Sequence, residues 1–107
     1  MLKKVKRRYL AVVIESQALC SSSEFVDSVW ASLGSLFGEY GCSTVSLSLV
    51  KFNDQNRTAV IRTDHVSLDK VRVALASIMR INREPSAVQV LRISGTLKGL
   101  GNSYEQL

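Results

Sequence analysis

The chain has 107 residues, 46% of them hydrophobic, a single proline and a formal net charge of +5. That is the size and composition of one folded domain, which excludes a disordered tail or a multidomain assembly. No apolar run approaches the roughly 18 residues of a membrane span, and the one after the basic start is too short for a signal-peptide core; a cytoplasmic protein with no membrane partner is expected. Lys3, Lys4, Lys6, Arg7 and Arg8 account for the whole charge excess. Residues 1–8 therefore read as a basic N-terminal arm and residues 9–107 as one electroneutral domain. A basic arm on a neutral body points to a polyanion, with RNA or DNA the commonest. Lys and Arg contacts to phosphates release counterions and supply affinity without reading base sequence.

In chain order, Arg8 to Glu15 (RYLAVVIE) is a run of β-formers with apolar residues on both parities, the pattern of a central strand covered twice. Gln17 to Ser23 is a polar connection. Ser21 followed by Glu24 fits a capping box, with Ser22 and Ser23 as alternative caps. Phe25, Val26, Val29, Trp30, Leu33, Leu36 and Phe37 recur at helical spacing as one apolar stripe, which Gly38 and Gly41 end. Cys42 to Phe52 reads as a second strand, because Val45, Leu47 and Leu49 alternate with Ser46 and Ser48. The turn chemistry of Asn53 to Asn56 returns the chain into a third strand, Arg57 to Thr63, and closes a hairpin. Ser67 is placed to cap a second helix, whose stripe is Leu68, Val71, Ala74, Leu75, Ile78 and Met79. Pro85 bars its continuation. Ala87 to Ser94 is a fourth strand, and Thr96 to Tyr104 a short helix weakened by glycine.

The order β-α-β-β-α-β defines an α+β class, a ferredoxin-like or RNA-recognition-motif-like sandwich with a short C-terminal helix. Right-handed crossovers put both main helices on one face of a four-stranded antiparallel sheet. Apolar residues on both parities of the first and fourth strands imply that the other face is partly covered, by the C-terminal element or by a partner protein.

This fold hosts many functions, so function must come from its residues. RNA recognition motifs stack bases on aromatics of their first and third strands. Here the third strand, RTAVIRT, has none, and Tyr9 is the only one on the first. RNA contacts are therefore expected at backbone phosphates. His65, the single histidine, reads as a solvated turn residue, for it has no orienting partner and no nucleophile in the sequence pattern. Cys20 and Cys42 fit no metal spacing and read as reduced thiols. Asp64 and Asp69 flank a helix start, where acids are favoured. No catalytic residue and no metal ligand is assigned. Backbone N–H groups at Ser94-Gly95-Thr96 offer a place for one phosphate, with Lys98 adding charge, although such groups occur at every helix start.

Several segments together resemble the small protein subunits of archaeal and eukaryotic ribonuclease P and its relative ribonuclease MRP, the family called ribonuclease P protein component 2 in archaea. They are Lys6-Arg7-Arg8-Tyr9-Leu10, Leu36-Phe37-Gly38-Glu39-Tyr40-Gly41, Ala59-Val60-Ile61-Arg62, Val71-Arg72-Val73-Ala74-Leu75 and Ile93-Ser94-Gly95-Thr96-Leu97-Lys98. The resemblance implies a fold like the RNA recognition motif without its stacking aromatics. It implies a non-catalytic subunit of an endoribonuclease whose RNA removes the 5′ leader of precursor tRNA. The implied partners are ribonuclease P RNA, precursor tRNA indirectly, and a TIM-barrel-like subunit, ribonuclease P protein component 3. A homodimer or a two-plus-two heterotetramer is the implied assembly. No cofactor is expected on this chain; Mg2+ belongs with the catalytic RNA. The tail after Lys98 is short, glycine-rich and polar, where many relatives carry a longer basic helix.

The expected RNA-binding residues are Lys3, Lys4, Lys6, Arg7 and Arg8, with Arg57, Arg62 and Lys98 secondary. Arg57 and Arg62 equally fit the outward charges of a solvated strand face. Lys70 and Arg72 read as helix-surface charges. Apolar surface on the uncovered sheet face, with Phe52, is expected to dock the partner protein. One alternative is a ferredoxin-like small-molecule-binding regulatory domain, with a pocket at a dimer interface and no use for the basic arm. The other is a small enzyme, which needs a reactive cluster absent from this sequence.

Overall fold

A computed structural model describes residues 6–17 and 19–100. The elements are β1 (Arg7–Ser16), α1 (Ser22–Ser43), β2 (Leu47–Asn53), β3 (Thr58–Asp64), α2 (Leu68–Ala76), β4 (Arg80–Ile81), β5 (Glu84–Ser94) and α3 (Leu97–Leu100). The sheet order is β2-β3-β1-β5-β4, with every pairing antiparallel. This is the expected ferredoxin-like arrangement, extended by a two-residue strand on its far edge. Among the described residues no helix is long and apolar enough to cross a membrane.

Strand parity decides the layers. Leu10, Val12 and Ile14 of β1 join Ala59 and Ile61 of β3 and Val88 of β5 in a core closed by Phe25, Val29 and Leu33 of α1 and Val71, Ala74 and Leu75 of α2. Each large apolar side chain buried there contributes about 1.5–3 kcal/mol. On the opposite face Ala11, Val60 and Leu100 form a second cluster, edged by Tyr9. All three are fully buried, so α3 covers the middle of the face that the helices leave bare. This answers the double-sided apolar pattern of β1: the C-terminal element is what lies on its second side.

The helix ends differ from the sequence reading. The capping box forms as expected: the Glu24 N–H donates to Ser21 Oγ at 3.2 Å, and the Ser21 N–H donates to Glu24 Oε1 at 2.9 Å. Gly38 interrupts α1 but does not end it. Its φ of 73° and ψ of 176° make a kink, and a last turn follows to Ser43. That turn is held by the hydroxyls of Ser43 and Thr44, which donate to the carbonyls of Tyr40 and Gly41. Cys42 therefore belongs to the helix, and β2 starts only at Leu47. Lys70 of α2 is more than a surface charge: Nζ donates to the Gly41 carbonyl at 3.4 Å and lies 5.6 Å from the centre of the Phe37 ring. It supplies the positive charge that the carbonyl end of α1 favours and that its own last turn lacks.

Ser67 sits at the N-cap of α2 without capping through its hydroxyl; its N–H instead donates to Asp64 Oδ1 at 2.7 Å. α2 stops at Ala76, short of the expected stripe. The Ser77 hydroxyl bonds back to Val73, Ile78 stays buried, and Met79 turns out to solvent. Asn82 and Arg83, both at positive φ, make the tight turn between β4 and β5. Pro85 lies inside β5, whose start is at the sheet edge and needs no donor there.

Phe52 is a correction. A bulge at Val50 shifts the parity of β2, so Leu49 and Phe52 both face the helices. The Phe52 ring lies 6.1 Å from that of Phe25. It is a core residue and not part of a docking surface on the open sheet face.

Candidate nucleic-acid interface

Antiparallel pairing brings the start of β1, the end of β3, the end of β5 and the start of β2 to one end of the sheet. Arg7 lies opposite Asp64, Arg8 opposite Thr63, and Tyr9 between Arg62 and Ser94. The His65 N–H donates to the Lys6 carbonyl at 2.8 Å and prolongs that ladder by one rung. The basic segment is thus partly sheet: β1 begins at Arg7, so Arg7 and Arg8 are fixed to the domain. His65 acts here through its backbone, and its side chain is exposed as expected. Lys3 and Lys4 lie outside the described residues, as does the expected helix beyond Leu100.

Lys6, Arg7, Arg8 and Arg62 gather at this end, and Lys98 is exposed on α3, the short helix that follows β5. Arg8 Nη1 donates to the Arg7 carbonyl at 2.9 Å, and its guanidinium lies beside Gly95, where an added Cβ would be 3.6 Å away. Arg7 and Arg62 share the sheet face opposite the helices. Arg92, which pairs with Ala11, joins them on that face. Sequence reading passed over Arg92 because an extra residue at Leu91 breaks the alternation of β5. Only the bulge between Ala11 and Val12 reveals which way residue 92 points.

Arg57 does not join this group. It lies in the β2–β3 turn at φ 56°, five residues from Arg62, which is about 17 Å along a strand. Its Nη2 donates to the Gln17 carbonyl at 3.5 Å, and its own carbonyl accepts from the Ile14 N–H at 2.7 Å. Asn53 fixes the same turn, accepting from the N–H groups of Gln55 and Asn56.

The Ser94-Gly95-Thr96 corner has less to offer an anion than its sequence implies. The Thr96 N–H donates to Ser94 Oγ, and the Gly99 N–H donates to Thr96 Oγ1. Gly99 is required by the close approach of α3 to β5: an added Cβ would collide with the Ser94 hydroxyl and lie 3.2 Å from Ser94 Cβ. The sheet face on which RNA recognition motifs stack bases is therefore closed at its centre by Leu100, and Tyr9 is half-buried at its margin.

Cavities elsewhere are shallow. One of about 410 Å³ runs between α1 and the α2–β4 connection, lined by Ser28, Ser32, Leu36, Met79 and neighbours. Burial, and secondarily the nearby Glu24 carboxylate, push the Cys20 thiol up from its ordinary pKa. Among the described residues no three of His, Cys, Asp and Glu stand close enough to hold a metal ion.

Fold and site together define an RNA-recognition-motif-like domain whose stacking platform is plugged and whose cations cluster at one sheet end. The model of the Rpp14/Pop5 family matches residues 8–104, and the chain belongs to that family. It is 34% identical over 106 residues to ribonuclease P protein component 2 of Methanobrevibacter smithii, covering 92% of this chain and 88% of the relative. The protein of the same name from Methanosarcina mazei is 33% identical, covering 96% and 87%. A chain of the yeast ribonuclease MRP structure has the same fold, with a TM-score of 0.74 and 18% identity over 99% of this chain and 96% of that one.

Proposed function

We propose that this chain is a protein subunit of ribonuclease P that assists the catalytic RNA in removing the 5′ leader of precursor tRNA. It binds RNA backbone through the cationic sheet end and docks a second protein subunit, the TIM-barrel-like component 3. Magnesium in this reading serves the RNA, and the chain supplies positive charge and shape. The observation that carries it is the gathering of Lys6, Arg7, Arg8 and Arg62 at one end of a domain of the Rpp14/Pop5 family. The plugged sheet face supports backbone contact over base stacking. Two guanidiniums fixed in a strand lose less freedom on binding than they would on a loose arm.

Reconstitution tests it. Precursor-tRNA cleavage by the cognate ribonuclease P RNA and its other protein subunits is measured with and without this chain, at several magnesium concentrations. Addition should raise the rate and lower the magnesium needed. RNA binding by the full chain should weaken with salt, the logarithmic slope falling by about 0.7–0.9 for each phosphate contact removed. A rate and a magnesium requirement unchanged by the chain would refute the proposal.

A further inference from the structure

Arg7, Ser46, Ser48, Arg62, Thr63 and Asp64 line a cavity of about 210 Å³ on the sheet face opposite the helices. Arg62 stands directly opposite Ser48 on β2 and Tyr9 on β1. Arg7 stands opposite Asp64, so it is the diagonal neighbour of Arg62, about 7–8 Å away at the backbone. At that separation two long side chains converge on one group between them.

Most of the other polar groups here are spoken for. The Thr63 hydroxyl donates to the Ser46 carbonyl, and Asp64 Oδ1 accepts from the Ser67 N–H. The guanidiniums of Arg7 and Arg62 and the hydroxyls of Ser46 and Ser48 make no hydrogen bond among the described residues. Two like charges in one half-enclosed cavity repel, and the single carboxylate of Asp64 offsets only one of them. An anion with several acceptor oxygens resolves the imbalance. It accepts from the planar forks of both arginines and from a serine hydroxyl, a geometry suited to phosphate.

We infer that this cavity seats a single phosphodiester of the RNA backbone, gripped by Arg7 and Arg62 with Ser48 as a neutral donor. The inference rests on the RNA-binding reading above and goes further, because it names one phosphate and its ligands in place of a diffuse field. It also separates Arg62 from Arg57, which is turned to the other end of the sheet.

Phosphate-ethylation interference on the cognate ribonuclease P RNA tests it, with the full chain as wild type, Arg62→Gln, Arg62→Lys and Ser48→Ala. Ethylation of one phosphate should block wild-type binding and have no effect on Arg62→Gln, whose affinity falls about tenfold. Arg62→Lys should keep the wild-type salt slope but regain only part of the affinity, because ammonium lacks the bidentate fork. Ser48→Ala should cost a few-fold without moving the slope; if Arg62→Gln fails to fold, this variant carries the test. Wild-type interference and affinity retained in Arg62→Gln and Ser48→Ala would overturn the seat while leaving the RNA-binding reading intact. Absence of both interference and salt slope in the wild type would overturn both.

Discussion

Gly34 and Gly38 stand one turn apart on α1, and alanine at each should move stability in opposite directions. At either position an added Cβ meets nothing within 4 Å, so no clash enters and only the backbone decides. Gly34 is helical, where alanine is favoured over glycine by about 0.5–1 kcal/mol. Gly38 holds φ 73° and ψ 176°, a region that is essentially reserved for glycine and costs other residues about 1–3 kcal/mol. For a chain of this length 1 kcal/mol shifts Tm by about 4–8 °C. Gly34→Ala should therefore melt about 2–8 °C above wild type and Gly38→Ala at least about 4 °C below it. Thermal and urea unfolding followed by circular dichroism read both, with a common m-value as the check on two-state behaviour. Stabilisation by Gly38→Ala would mean that α1 runs straight through residue 38, and the account of its last turn would fall with the kink.

Leu100→Ala should cost about 2–3 kcal/mol in urea unfolding, near the low end for buried leucine because a short terminal helix can settle. Leu97→Ala, 44% exposed on the same helix, should stay within about 0.5 kcal/mol. Gly99→Ala should lift α3 from β5, seen as new binding of a hydrophobic dye, and a variant that stays dye-free would contradict the close packing described. Ser21→Ala should lose about 1 kcal/mol through the capping box, and a loss no larger than that of Ser22→Ala would refute that assignment. The raised Cys20 thiol binds its proton more tightly in the folded chain than in the unfolded one. Its contribution is thus complete below the ordinary thiol pKa and is lost as pH rises through the folded value. Alkylation of Cys20 should reach half-maximal rate above that ordinary value and return to it on unfolding. A midpoint at or under the ordinary value would contradict the burial.

Much of this fold was legible because period and burial agree. The stripe Phe25, Val29, Leu33 and the paired parities of Leu10 to Ile14 are long enough for pattern alone to fix their faces. What stayed hidden depends on single insertions. An extra residue at Val50 turned Phe52 inward, and another at Leu91 set the face of Arg92. Neither bulge leaves a mark in composition. Side-chain hydroxyls also beat the apolar alternation at Ser43 and Thr44, where local hydrogen bonds drew residues from the expected strand into the helix. For the candidate site, the cluster of basic residues was visible as a run, but its convergence with Arg62 is a matter of register, which sequence spacing does not contain.

Because β1 starts and β5 ends at the same end of the sheet, the chain enters the sheet at the cationic surface, while Leu100 is anchored over the middle of the open face. A fluorophore attached to the described strand near Arg7 would crowd the region where nucleic acid is expected to lie. The Asn53–Asn56 turn, about 20 Å away at the opposite pole, is the better place for a reporter or an insertion.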